Sequence, residues 1–306
     1  MLSSYFKFWV RIAVLLFITG CSKKHEAPAP TYLALPSLEL KTDLPSEGTA
    51  SNAITTAWIF DGNEGLGVYE LPATFPAALA EGGHDFIIYP GVNLNGIQSV
   101  RAIYDAFQPI RVSREIKNPG TLDTIQFSIN ERTTEYNPNY QINIVENFEQ
   151  SGLNFQGTSR SDTTMTKSKD PDSIFSYQPP NANEPEENSA VGFFEVSSDR
   201  PEGSFTSVTT YSLPRGLQNL YLELNYRTTV PLEIGLGAIL PNGPQRAPSV
   251  ELFPQKEWNK LHLDLITEYQ GFQNASGFKV FLRARLPEGT TTGRVFLDNI
   301  KLIFRQ

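Results

Sequence analysis

The chain reads as an all-β protein built from two consecutive antiparallel β-sandwich domains, and three observations predict it. Apolar and polar residues alternate through Leu220–Arg227, Leu261–Leu265 and Phe278–Leu286, the period of a half-buried strand. Turn formers are frequent, with 22 Gly and 22 Pro spread over 306 residues. Runs rich in β-branched and aromatic residues, such as Ile54–Phe60, stop at dipeptides like Asp61-Gly62 that suit a tight hairpin. Beyond an N-terminal leader and a tether, roughly 250 residues remain to fold, enough for one large or two ordinary domains.

The leader comes first. Lys7 and Arg11 give a basic start, Ile12–Thr19 an apolar run, and Gly20 a small residue ahead of Cys21, the single cysteine of the chain. That run is too short to span a bilayer, so residues 1–20 are predicted to be a cleaved signal peptide. Ile18-Thr19-Gly20-Cys21 resembles the lipobox of bacterial lipoproteins. The resemblance implies that Cys21 is acylated and that a lipid anchor makes the membrane a partner. Ser22 behind the cysteine, where Asp would signal inner-membrane retention, points to the outer membrane, on either of its faces. With Cys21 acylated, no thiol is left for a disulfide or a metal thiolate. Loss of residues 1–20 leaves 23 basic against 33 acidic residues, a formal charge of −10 against −8 for the whole chain. No basic cluster compensates, so nucleic acid is not an expected partner. Residues 21–52, with Pro28, Pro30, Pro36, Pro45 and Gly48, read as a flexible tether.

Residues 53–139 form the first predicted sandwich. Strands are expected at Ile54–Phe60, at Leu66–Leu71 before Pro72, and at His84–Tyr89, closed by Pro90-Gly91. More follow at Arg101–Phe107, Ile110–Ile116 and Thr121–Ile129, and Asn137-Pro138-Asn139 reads as a hinge. The series Trp58-Ile59-Phe60-Asp61-Gly62, Gly67–Phe75 and Glu81-Gly82-Gly83-His84 resembles the PEGA-type surface module of bacterial envelope proteins, which implies a small β-sandwich. His84 could ligate a metal or exchange protons, but His25 and His262 are far away in sequence. A hydrogen bond at the turn is the expected role.

Residues 140–306 form the second. Leu220, Leu222, Leu224 and Tyr226 share one strand face and Tyr221, Glu223, Asn225 and Arg227 the other, and two packed sheets follow from several such strands. Gly293–Leu302, the opening Asn147-Phe148-Glu149 and Trp258–Leu263 resemble the last, first and tryptophan-led strands of jelly-roll carbohydrate-binding modules, the galactose-binding-like group. The resemblance implies a jelly roll for residues 140–306 and a structural calcium held by Glu149 and Asp298. Periodicity alone puts Asp298 in phase with Phe296, Ile300, Leu302 and Phe304, so its carboxylate needs a partner: backbone N–H groups, Arg283 or Arg285, or that ion. Calcium seeks about six to eight oxygens, of which the sequence nominates only two residues.

A glycan site requires exposed rings flanked by hydrogen-bonding side chains. Tyr221, on the polar side of its strand, and Tyr269 and Phe272, in a loop with Gln270, Gln273 and Asn274, are the ligand-binding candidates. Residues Gly157–Ser189 are polar and Pro-bearing and read as a long solvated loop. Asp123-Thr124-Ile125, Asp162-Thr163-Thr164 and Asp172-Ser173-Ile174 resemble the O-glycosylation triplets of exported Bacteroidota proteins. No Gly-x-Ser-x-Gly elbow, His-Glu-x-x-His helix or phosphate loop is present. The expected function is therefore that of a non-catalytic cell-envelope lipoprotein that binds glycan or another surface polymer through its C-terminal jelly roll. The alternative is a structural or assembly component of the outer membrane that docks proteins. No cofactor is expected beyond the calcium.

Overall fold

The computed structural model describes residues 29–120, 124–179 and 188–305. The signal peptide, Cys21, the start of the tether and Asp123 lie outside the described residues.

In chain order the first strands are β1 (Thr31–Leu35), β2 (Glu39–Lys41), β3 (Ile54–Asp61), β4 (Glu64–Glu70), β5 (Ala73–Ala77), β6 (Gly82–Asn93), β7 (Arg101–Ile103), β8 (Ile110–Ile116), β9 (Thr124–Gln126) and β10 (Thr133–Glu135). One antiparallel sheet runs β4-β3-β6-β7 with β8 also on β6, and a second is β5-β1-β9. The β3–β4 hairpin turns at Gly62, whose φ of 56° suits glycine. β6 does not stop at Pro90-Gly91 but continues to Asn93. Pro90 is tolerated there because only its carbonyl is needed, as acceptor of the Tyr104 N–H.

Residues 31–41 are not tether. β1 pairs antiparallel with β5 and parallel with β9, and β2 pairs parallel with β10. Leu33, Leu35, Leu38 and Leu40 enter the core formed by Ile59, Phe86, Ile88 and Val112. The prolines that suggested an extended linker, Pro30 and Pro36, merely flank a five-residue strand, where a missing N–H costs no ladder bond.

The second half contains β11 (Tyr140–Glu146), β12 (Phe155–Gly157), β13 (Thr166–Ser168), β14 (Val191–Ser197), β15 (Glu202–Ser207), β16 (Leu220–Thr228), β17 (Leu232–Leu240), β18 (Gly243–Leu252), β19 (Gln255–Asp264), β20 (Gly277–Arg285) and β21 (Thr292–Arg305). Six form the sheet β13-β14-β21-β16-β19, with β11 on β21, and five form β12-β15-β20-β17-β18. Leu220, Leu222 and Leu224 from the first sheet meet Ile234, Leu236, Val280 and Leu282 from the second in one core, as the alternation predicts. Each fully buried leucine or isoleucine there contributes about 1.5–3 kcal/mol.

Two local readings change. Asn147-Phe148-Glu149 is not the opening strand: β11 is, and Phe148 follows it with φ 60° and a buried ring. On β21 the pairing shifts between Glu223–Lys301 and Asn225–Asp298, next to Asn299 with φ 50°. That bulge reverses the phase. Val295 and Leu297 face the sandwich core before it, Ile300, Leu302 and Phe304 after it, and Asp298 and Lys301 are left together on the other face.

That other face is covered. Tyr104, Tyr136, Tyr140, Tyr221 and Ile303 belong to the core of the first half, so the two halves share buried surface. Asn137-Pro138-Asn139 is tied down as well, Asn137 donating its N–H to Ala106 and Tyr140 its N–H to Asn137. The segment Asp172–Tyr177 covers the far end of the same face. Arg227 donates to the Asp172 carbonyl, Phe175 packs against Trp258, and the Tyr177 hydroxyl is bonded by Asn52. Thr163 and Ser173 are buried, which removes two of the three glycosylation triplets as accessible acceptors.

Candidate functional site

Two places stand out, a sealed cluster of ionisable groups and an open groove. The sealed one lies where the halves meet, on the outward positions of β16, β19 and β21. Glu223 Oε1 accepts a 2.9 Å hydrogen bond from Tyr104 and Oε2 a 3.0 Å bond from Tyr136, and Lys260 Nζ stands 3.0 Å from Oε2. Lys301 Nζ donates to the Thr49 carbonyl at 2.8 Å and lies over the Tyr136 ring. His262 packs edge-on against Tyr104, 4.9 Å between centroids.

Charge states follow from this packing. Burial alone would raise Glu223, but Lys260, His262 and Lys301 outweigh it and hold its carboxyl at about 2. Burial pushes His262 down to about 4, against the pull of Glu223, so it is neutral at physiological pH. Burial, then the Glu223 charge, pushes the Tyr104 and Tyr136 phenols well up. The cluster is thus an ammonium–carboxylate centre capped by two neutral phenols and closed to substrate. It holds the halves together. Sequence reading missed it because alternation marks these positions as a polar face and does not say what covers that face.

Tyr221 sits in the same interface. It is 5% exposed, packed 4.6 Å from Tyr104 and stacked on Tyr140, and cannot serve as a glycan platform. Its polar-side position was read correctly, but the polar side is buried. His84 takes the expected turn-side role, its ring nitrogens 2.5 Å from Asp61 and 3.0 Å from the Ala80 carbonyl. Burial works against its charge, but the Asp61 bond and the Ala80 carbonyl prevail and its pKa is raised.

Glu149 and Asp298 do not make a calcium site as they stand. Both oxygens of Glu149 are engaged, by the Ser189 and Ala190 N–H groups and the Ser189 hydroxyl. Asp298 Oδ1 accepts the Asn299 N–H at 2.7 Å, and only Oδ2 is without a partner. A single free carboxylate oxygen falls far short of a hard-ion shell of about six to eight oxygens. No group of three or more His, Cys, Asp or Glu suited to a metal occurs among the described residues. Burial, opposed by the Asn299 N–H and reinforced by the Glu149 charge, pushes Asp298 well above the usual carboxylate range. The backbone-capped reading of Asp298 matches what is seen, while Arg283 and Arg285 are bonded to Glu202 instead.

The open place is a groove of about 830 Å³ at one end of the jelly roll, between the 212–218 segment and the loop that follows the short helix Ile266–Gln270. Tyr269 and Phe272 line it together with Gln218, Gln270, Gln273 and Asn274. Two of the three ring candidates are therefore brought to one site. Both rings are half-buried against the sandwich core, and the Tyr269 hydroxyl donates to the Pro214 carbonyl at 2.6 Å, which fixes the ring. Among the described residues no carboxylate lines this groove, and Arg215 is its one charged residue. Such a groove can hold polar, ring-shaped ligands and offers no acid–base pair.

No family model matches the chain, and no curated protein matches it either. Several solved structures are similar to the chain. One described as showing the promiscuous specificity of carbohydrate-binding modules from the β-sandwich superfamily is 11% identical, with 90% of this chain and 98% of that one covered and a TM-score of 0.36. The family 11 carbohydrate-binding module of a cellulosomal cellulase of Clostridium thermocellum is 12% identical over 53% of this chain and 93% of its own, with a TM-score of 0.33. The enzymatically active domain of tailspike protein 4 of bacteriophage CBA120 is 13% identical over 54% of this chain, with a TM-score of 0.32, and only 19% of that chain is spanned.

Proposed function

We propose that this protein is a non-catalytic cell-envelope lipoprotein, anchored in the outer membrane through Cys21, that captures glycan or another surface polymer with its C-terminal jelly roll. The observation that carries the reading is the groove in which Tyr269 and Phe272 stand beside four side-chain amides. Aromatic faces meet sugar C–H groups and amides bond hydroxyls, the combination that sugar recognition requires. The lining supports binding over hydrolysis, because glycoside cleavage uses two facing carboxyl groups and the described residues of this groove include none. The N-terminal half, locked to the opposite face of the sandwich, acts as the stalk.

The full chain in detergent, printed against a glycan array, tests this reading. Signal on a subset of glycans that is lost in Tyr269→Ala and kept in Tyr221→Phe is expected; silence across the array, or full signal in Tyr269→Ala, overturns it. Metabolic labelling with an alkyne fatty acid checks the anchor: label is expected on the wild type and not on Cys21→Ser.

A further inference from the structure

The five-stranded sheet carries a groove on its outer face. Register carries Gln156, Thr206, Phe281 and Gly235 across β12, β15, β20 and β17 on that face, and Arg246 of β18 stands opposite Gly237. A Cβ at Gly235 would lie 2.2 Å from the Ala247 carbonyl oxygen and 2.8 Å from the Phe281 ring, so glycine lets β18 approach and leaves room for the ring. Arg246 then crosses over it, its guanidinium carbon 5.6 Å from the ring centroid and Nη1 3.2 Å from Ser204 Oγ. The result is a groove of about 720 Å³ lined by Arg160, Arg246 and Lys279, the last with its Nζ donating to the Val208 carbonyl at 3.0 Å.

Charge along this face is uneven. Arg283 and Arg285, toward one end, are neutralised by Glu202 and Glu233 at 2.9–3.2 Å. Arg160, Arg246 and Lys279 have no carboxylate partner among the described residues. Three unneutralised cations in one groove run against the composition of a chain with net charge −8. Burial, and then the charges of Arg160 and Arg283, depress the Arg246 pKa, a repulsion that a bound anion relieves.

The geometry points to a second binding groove, in which Arg160, Arg246 and Lys279 hold the carboxylates of an acidic polysaccharide while Gln156, Thr158 and Thr206 bond its hydroxyls. Guanidinium groups match carboxylates in charge and shape. Nucleic acid fits less well: Phe281 is 1% exposed and offers no face for base stacking, and a densely charged polyanion is repelled by the acidic remainder of the chain. A polysaccharide with one carboxylate per sugar or fewer spaces its charges and puts hydroxyls between them. This groove is separate from the one lined by Tyr269, and the inference stands whether or not that site binds sugar.

Titration of the full chain with polygalacturonate, with neutral dextran, polyglutamate and a single-stranded oligonucleotide as comparison probes, tests it. Polygalacturonate should bind preferentially and weaken as salt rises from about 50 to about 500 mM. Arg160→Ser/Arg246→Ser should weaken it about tenfold or more, since charge-assisted pairs are lost. Arg160 is exposed but Arg246 covers the Phe281 ring, so the double variant should melt below the wild type, while Arg246→Met, which keeps a cover over the ring, should weaken binding without that shift; Tyr269→Ala should leave this titration unchanged. No polygalacturonate binding, equal binding by the double variant, or tighter binding of polyglutamate or the oligonucleotide would overturn the proposal.

Discussion

Tyr104, carried by the N-terminal half, donates its hydroxyl to Glu223 of the jelly roll at 2.9 Å, and both side chains are sealed from water. Through this contact the charge state of one half depends on the packing of the other. Glu223 keeps its charge only because Lys260, Lys301 and two phenols replace the water it has lost.

Glu223→Gln therefore takes from the buried Lys260 ammonium the carboxylate it is paired with. A loss of about 3–5 kcal/mol is expected, read as a lowered midpoint in denaturant. Glu223→Gln/Lys260→Met should recover part of it. A single variant within about 0.5 kcal/mol of wild type would show that the cluster does not stabilise the fold.

Acid should unfold the protein in a window set first by His262. Unfolded, its imidazole takes a proton near 6.5; folded, it resists until about 4. Between these values the unfolded chain binds more protons, so stability falls as pH falls. Below about 4.5 Glu223 adds to the loss in the same direction, because its folded value is about 2. Melting temperature should drop from pH 7 to 4.5, and His262→Phe, which keeps the ring contacts with Tyr104, should flatten the slope.

His84 acts in the opposite sense. Its pKa is raised by the folded state, so its contribution is complete below the unfolded value of 6.5 and is lost as pH rises through the folded value. The difference in melting temperature between wild type and His84→Gln should shrink from pH 6 to pH 9. A constant difference would mean that the Asp61 bond adds nothing through charge.

Asp298 should be better replaced than kept at neutral pH. Burial favours its uncharged form, so stability falls as pH rises through its raised pKa, and Asp298→Asn supplies the uncharged shape outright. The variant should melt above wild type at pH 7, with the gap closing in acid. A chelator should leave both melts unmoved; a chelator-dependent drop in the wild type alone would show that an ion is held there.

Leu35→Ala tests the reassigned N-terminal segment. The side chain is wholly buried, and a loss of about 2–5 kcal/mol is expected from the cavity it leaves. A tether residue would cost nothing. By the same reasoning, a chain begun at Ala53 lacks β1 and β2 and should fail to fold.

The alternation of Leu220, Leu222 and Leu224 and of Val280, Leu282 and Ala284 was enough, by itself, to establish two packed sheets in the second half, because a period of two leaves an apolar face that only another apolar face can cover. Trp58–Gly62 established the first hairpin in the same way, through local backbone geometry. Tertiary structure decided what local pattern cannot carry. One inserted residue at the Asn299 bulge turned Asp298 to the opposite face, and the distant residues Tyr104 and Tyr136 turned a polar strand face into an interior. Whether an outward side chain meets water or another half of the protein depends on contacts across more than a hundred residues, and no period along the chain encodes them. Tyr221 and Tyr269 show the difference: both read as exposed rings in sequence, and only the covering of one sheet face by the N-terminal half separates the buried ring from the one that lines a groove.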